Sequence, residues 1–196
     1  GMDGEDATNA ITCNVFQGSG YQNKKWGTER KVADTFEGYD FPIIRYAEVL
    51  LNYAEAMYEL GTTGKALDDA LNISLNLVRL RVNPDMPKLT TSFVSENNLN
   101  MREEIRRERT IELYNEGFRI DDLKRWNTAI VEMPKPILGV KWTGTDFATS
   151  WAGASNMAKD SDGCLILENS RRWGSKNDLY PLPVDQCQLN PNLGQN

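Results

Sequence analysis

Between Pro42 and Gly61 apolar residues recur every three or four positions. In "IIRYAEVLLNYAEAMYELG", Ala47, Leu50, Leu51, Ala54, Met57 and Tyr58 fall on one side of a helical wheel. Asp40 and Pro42 punctuate the start, since proline is tolerated in a first turn where its missing N–H is not needed. Gly61 ends the run. A second stripe, Ala66, Leu67, Ala70, Leu71, Leu77 and Val78, predicts a helix from about Lys65 that Pro84 bounds. Together they predict a helical hairpin with a short turn. Small residues at the close-approach points fit a tetratricopeptide-type unit, and an ordinary αα-hairpin fits equally well. One repeat of that type cannot bury its own face and needs neighbours.

Further on the pattern is less even. Residues 84–98 read as a loop. A helix is predicted from about Leu99 to Glu116, with Gly117 interrupting it. A shorter helix then carries Ile120, Leu123 and Trp126, the last as a core residue. From Met133 onward proline, glycine and polar residues dominate, so regular structure should be short. Pro181 and Pro183 in "LYPLPVDQ" predict an extended segment lying against the body. Residues 1–40 are polar and glycine-rich, with Tyr21, Trp26, Phe36 and Tyr39 scattered among them, and read as an irregular lead-in. The expected division is a lead-in over 1–40, a helical core over 41–128, and a loop-rich region with an extended tail over 129–196.

The stretch "REEIRRERTIELYNEGFRIDDLKRW", residues 102–126, combines this pattern with dense charge of both signs. Glu108 and Glu112 continue the face of Met101 and Ile105. Ile111, Tyr114 and Phe118 lie on another side, with Leu113 between. A helix apolar in several directions is buried on more than one side. Glu104, Glu108, Glu112 and Glu116 form an i,i+4 ladder of like charges, each pair costing up to ~0.5 kcal/mol in an isolated helix. The last of them sit where the helix dipole disfavours acids. Local partners are Glu103 with Arg107, Arg109 with Glu112, Glu116 with Arg119, and Asp121 with Arg125. Glu108 and Glu112 are expected to meet Arg45 and Arg79 from the hairpin, because an unpaired buried charge is costly. The predicted lattice comprises Arg45, Arg79, Glu108, Arg109, Glu112, Glu116, Arg119, Asp122 and Arg125. Paired carboxylates also perform glycoside hydrolysis. An arginine beside each acid should keep it ionised and unsuited to act as a general acid, which favours structure over catalysis.

Composition narrows the classes. The 196 residues carry 22 Lys+Arg against 28 Asp+Glu. That balance argues against a general phosphate-backbone binder, and no nucleic-acid partner is expected. There is no histidine, so most zinc sites, serine-type triads and imidazole acid/base schemes lose their usual residue. Cys13, Cys164 and Cys187 are widely spaced and odd in number, which leaves at least one free thiol. No cofactor or metal is expected. "DSDG" at Asp160–Gly163 hints at calcium, but an EF-hand loop needs an acid where Ala158 stands and a closing glutamate where Asn169 stands, so it reads as a tight turn. Asn72-Ile73-Ser74 matches a glycosylation sequon inside a predicted helix. No apolar run is long enough to cross a membrane, and no signal peptide opens the chain. The opening Gly-Met reads as a tag scar on an internal start, which suggests a piece of a longer protein.

Three blocks then carry a resemblance. "FPIIRYAEVLLNYAEA", "REEIRRERTIELYNEGFRIDDLKRW" and "LYPLPVDQCQLNPNLGQN" resemble, in order, the C-terminal portion of SusD/RagB proteins, and "GYQNKKW" is similar to the segment preceding the first block. The likeness spans roughly residues 20–196. It implies a mainly α-helical fold of tetratricopeptide-like hairpins, an α/α superhelix with long irregular loops and few short strands. It also implies a surface lipoprotein of the outer membrane that binds glycans or other nutrients, is not an enzyme, and delivers its ligand to a TonB-dependent transporter. The lipid anchor of such proteins is absent from this chain, and none of its cysteines stands in the lipidated position.

The blocks carry no ligand residue. Sugars stack their C–H faces on aromatic rings, so loop aromatics are the candidates. Trp142, Phe147 and Trp151 cluster in "KWTGTDFATSWAG", and Trp26 beside Lys25 and Tyr21 is a second place. A helical-repeat scaffold that binds only protein is the competing class, and a two-carboxylate enzyme a third.

Overall fold

The computed structural model describes residues 19–21, 25, 42–150, 152–190 and 192–194. The chain is mainly α-helical, with two short strands among the described residues. It divides into two compact units, one of residues 38–119 and one of residues 1–37 with 120–196. The dividing line falls inside the stretch 41–128 that the sequence groups as one helical core.

The first unit runs α1 (Tyr46–Glu59), α2 (Gly64–Asn72), α3 (Leu75–Val82), α4 (Thr91–Glu96) and α5 (Met101–Glu112). α1 ends where Gly61 predicts. The Gly61 N–H bonds the Tyr58 carbonyl at 2.9 Å and the Thr62 N–H bonds that of Met57 at 3.2 Å. Gly61 holds φ at +83°, which glycine adopts without a side-chain clash. α1 packs against α2, α3 and α5, and α3 against α5. Leu51, Ala54, Leu67, Leu71, Leu75, Val78, Leu89, Ile105 and Leu113 form the core between them.

Two expectations fail here. The predicted second helix is two helices, α2 and α3, broken at Ile73 and Ser74. Ser74 is fully buried, and its Oγ donates to the Ala70 carbonyl at 2.6 Å. Its backbone leaves the helix at φ −137°, ψ −99°. A serine that bonds back to the preceding turn competes with the helical ladder. Leu77, placed on the core stripe, is exposed as a result of the new phase. The predicted loop 84–98 also contains α4. Thr90 caps it, its Oγ1 accepting the Phe93 N–H at 3.1 Å. Buried Asn76 holds the approach, donating to the Leu89 carbonyl at 3.0 Å and accepting the Leu89 N–H at 2.8 Å.

In the second unit α6 (Arg119–Arg125), which opens at the dividing line, and α7 (Ala129–Glu132) precede β1 (Ile137–Lys141). β1 pairs antiparallel with β2 (Cys164–Glu168), Ile137 opposite Glu168 and Lys141 opposite Cys164. The Val140 N–H bonds the Ser19 carbonyl at 2.8 Å, which seats the 19–21 segment beside β1. A small core of Val140, Trp142, Ala154 and Leu165 lies on this ribbon, with Phe147, Met157 and Leu167 against it. α8 (Phe147–Ser150) is a single turn. The proline-rich tail is extended only to Pro183. Beyond it Val184–Leu189 form α9, because Pro183 at the cap position loses no helical hydrogen bond. Trp126 is half-buried just past α6, its ring under the Arg125 guanidinium at 4.9 Å, and is not a core residue.

Candidate functional site

The charged helix α5 begins at Asn100, whose side chain accepts the Glu103 N–H at 3.3 Å, and its first turn holds Glu103 and Glu104 where the dipole favours acids. Its far end is the unusual one. Arg45, the residue before α1, reaches across to it. Arg45 Nε donates to Glu116 Oε2 at 2.8 Å and Nη2 to Glu116 Oε1 at 2.6 Å. Nη1 donates to Glu112 Oε1 at 2.9 Å, and Nη2 also reaches the Glu112 carbonyl at 3.2 Å. One planar guanidinium thus grips one carboxylate with two parallel bonds, a second carboxylate with one, and a carbonyl at the helix end. Arg81 adds a second cation, its Nη2 lying 2.9 Å and 3.0 Å from the two Glu112 oxygens.

Glu108 is held more loosely. Its Oε2 is 3.7 Å from Arg79 Nε, beyond hydrogen-bond length, although the Arg79 side chain is only 7% exposed and that of Glu108 15%. Burial pushes the Glu108 carboxyl above its usual range. Arg79 pulls it down, and Glu112 and Glu104 push it up again. At Glu108 desolvation outweighs the distant cation, so Arg79 does not hold this carboxyl below its usual range.

The remaining lattice residues have partners beyond those expected from the sequence. Buried Arg109 donates to Asn52 Oδ1 of α1 at 2.7 Å and lies over the Phe118 ring at 5.5 Å. Arg119 donates to Thr110 Oγ1 at 2.9 Å. Buried Glu104 pairs with Arg107 at 3.0 Å. Buried Asp122, and not Asp121, pairs with Arg125 at 2.8 Å. Arg81 and Asn52 join the lattice without a signal in the sequence. Both stand at exposed helix positions, and no spacing signal separates them from solvated side chains.

The ligand candidates scatter. Trp142 is 6% exposed and belongs to the small core, with Lys159 Nζ 5.5 Å from its ring centroid. Its burial contradicts its reading as an exposed platform, since the ring is spent on packing. Phe147 is partly buried against the same core. Trp26 and Trp151 lie outside the described residues. At Asp160 the Oδ1 accepts the Asp162 N–H at 3.0 Å and the Cys164 N–H at 2.8 Å, so this carboxylate closes a tight turn. Among the described residues no group of three or more His, Cys, Asp or Glu is arranged to hold a metal.

An arrangement the sequence did not suggest lies near the tail. Lys124 Nζ sits 5.7 Å from the Trp173 centroid and 4.8 Å from that of Tyr180, and Trp173 Nε1 donates to Asp178 at 2.9 Å. The two lysine contacts hold the tail beside α6, and the Trp173–Asp178 bond is internal to the tail.

These blocks and this scaffold have relatives. The chain belongs to the SusD family, whose sequence model matches residues 4–196. It is similar to a solved structure named "selenomethionine BT4246", at 27% identity and a TM-score of 0.56, over 81% of this chain and 25% of that one. This chain therefore spans about a quarter of the length of that protein. No curated relative matches.

Proposed function

We propose that this chain works within a nutrient-binding protein of the outer-membrane surface, which takes up an oligosaccharide or another nutrient and passes it to a TonB-dependent transporter. Membership of the SusD family, a family of surface nutrient-binding proteins, carries the reading. The lattice supports it by placing the acids of α5 against arginines of the hairpin, which serves a rigid scaffold and not a hydrolytic pair. In this reading a lipid anchor attaches the protein to the membrane; among the described residues no helix is long and apolar enough to cross one. Phe147, Trp151 and Trp26 stay the proposed aromatic contacts for a sugar face, while Trp142 packs in the small core of the β1–β2 ribbon.

Calorimetric titration with a panel of soluble oligosaccharides, paired with a reducing-sugar assay, tests this. Binding without turnover is expected. Released reducing sugar would overturn the binding role. Failure to bind any sugar, together with tight capture of the transporter, would favour a scaffold that binds only protein.

A further inference from the structure

The second unit holds an ammonium with no acid to meet it. Lys124 stands in the last turn of α6 and is half-buried. Its Nζ lies 4.8 Å from the Tyr180 ring centre and 5.7 Å from that of Trp173. Both distances fall within the reach of a cation–π contact, about 6 Å. A ring face attracts the charge but supplies no oxygen or nitrogen lone pair, so the three donors of the ammonium are left over. Among the described residues Lys124 has no hydrogen-bond acceptor and no carboxylate within ion-pair distance. Asp122 and Asp178 are engaged elsewhere: Asp122 pairs with Arg125 at 2.8 Å, and Asp178 accepts from Trp173 Nε1 at 2.9 Å.

The two rings sit at the surface. Tyr180 is 82% exposed, and Trp173 is half-buried with its indole nitrogen held by Asp178. Their centres can be no farther apart than the two lysine distances laid end to end, a span that suits a short oligosaccharide. The loop that carries Trp173 is basic. Its stretch "RRWGSK", residues 171–176, has three cations and no acid, in a chain whose net charge is −6. Arg172 Nη1 turns onto the carbonyls of Asn169 and Arg171, at 3.2 Å and 2.8 Å, and pairs with no carboxylate among the described residues. Rings suit the C–H face of a sugar, and an ammonium with unfilled donors suits a carboxylate. We propose that Lys124, Trp173 and Tyr180 form a subsite for an acidic oligosaccharide, a chain of uronic acids whose carboxylate takes the Lys124 ammonium while a sugar face lies on Tyr180. The proposal rests on the nutrient-binding reading, and adds to it a second place and a charge for the ligand.

Calorimetric titration of the protein as its natural gene encodes it tests this. The probes are oligogalacturonate, oligomannuronate and hyaluronan oligosaccharides, with maltooligosaccharides and cellooligosaccharides as neutral controls. At least one acidic oligomer is expected to bind. Its methyl ester, which keeps the sugar rings and removes the charge, should bind about tenfold more weakly, as for the loss of a hydrogen bond between charged groups. Lys124→Met keeps an unbranched side chain and removes the ammonium, and should weaken the acid by about tenfold. Tyr180→Ala should weaken it as well, and Tyr180→Phe, which keeps the ring, should restore most of the loss. Equal affinity for acid and ester, a comparison that needs no variant, would overturn the subsite. So would an acid affinity that survives Lys124→Met. Binding of a neutral oligosaccharide and of no acidic one would overturn the subsite and leave the nutrient-binding reading standing. Failure of every sugar would overturn the subsite and remove the oligosaccharide from that reading too.

Discussion

Arg45 holds Glu116 by two parallel bonds, 2.8 Å and 2.6 Å long, across 71 positions of sequence. The contact ties the residue before α1 to the turn after α5. It also answers why acids are tolerated at the C-terminal end of a helix. The guanidinium reaches the Glu112 carbonyl at that end, so the cation offsets the helix dipole and both carboxylates together. A lysine cannot reproduce a planar fork with several donors. Arg45→Lys should lower unfolding free energy by about 1 to 2 kcal/mol, read from denaturant midpoints at constant m-value.

Glu112 accepts from both Arg45 and Arg81 while its side chain is 10% exposed. Removing it leaves the partly buried Arg45 with one fewer partner. The Arg81 pair contributes little, because the arginine is more than half exposed. Glu112→Ala should cost about 2 to 3 kcal/mol, at or just below the lower end of the range for breaking a buried pair, because the Arg45 contact is only part-buried. A shift in melting temperature within experimental error would remove the structural role.

Glu108 behaves in the opposite sense. Its folded pKa is raised above 4.5, so the folded state binds its proton more tightly than the unfolded state does. The ionised carboxylate therefore costs stability above the raised value, and that cost is relieved as pH falls toward 4.5. Glu108→Gln mimics the protonated form beside Arg79. It should be at least as stable as the parent at pH 7, and should lose this group's decline in stability as pH rises from 4.5 through the raised pKa. Melting curves across that window check it; a variant clearly less stable at pH 7 would show that the Arg79 attraction dominates.

The aromatic loop predicts two separable outcomes. Trp142 is core, so Trp142→Ala should destabilise by about 3 kcal/mol or more, as for other large buried aromatics. Trp151→Ala should weaken glycan binding and leave the melting temperature unchanged. Unaltered glycan-array signals for the second variant would exclude it from the ligand contacts.

What the sequence disclosed depended on the range of each signal. Periodicity within one helix located α1, and Gly61 marked its end by local backbone chemistry. The like-charge ladder on α5 pointed outward to Arg45 and Arg79, because charge that local pairing cannot balance must be balanced elsewhere. The break at Ser74 was hidden, since hydrophobic spacing runs through it and the cause is one buried hydroxyl. α4 was hidden too. It is only six residues long, and its anchors, Asp68 on the Thr91 N–H at 2.7 Å and Asn76 on Leu89, come from distant positions. Trp142 looked like a loop platform because glycine, serine and threonine surround it, and only the β1–β2 ribbon gives it something to pack against.

The central claim is that α5 packs one face on the core while Arg45 clamps its far end. Ile111 is 66% and Tyr114 58% exposed, so the helix is not buried on more than one side as its pattern suggested. A double-mutant cycle on Arg45 and Glu116, using Arg45→Ala, Glu116→Ala and the pair, measures the clamp directly by chemical denaturation. The expected coupling energy is about 1.5 kcal/mol or more, as for a part-buried bidentate pair. Single-variant losses that simply add, within about 0.5 kcal/mol, would contradict it.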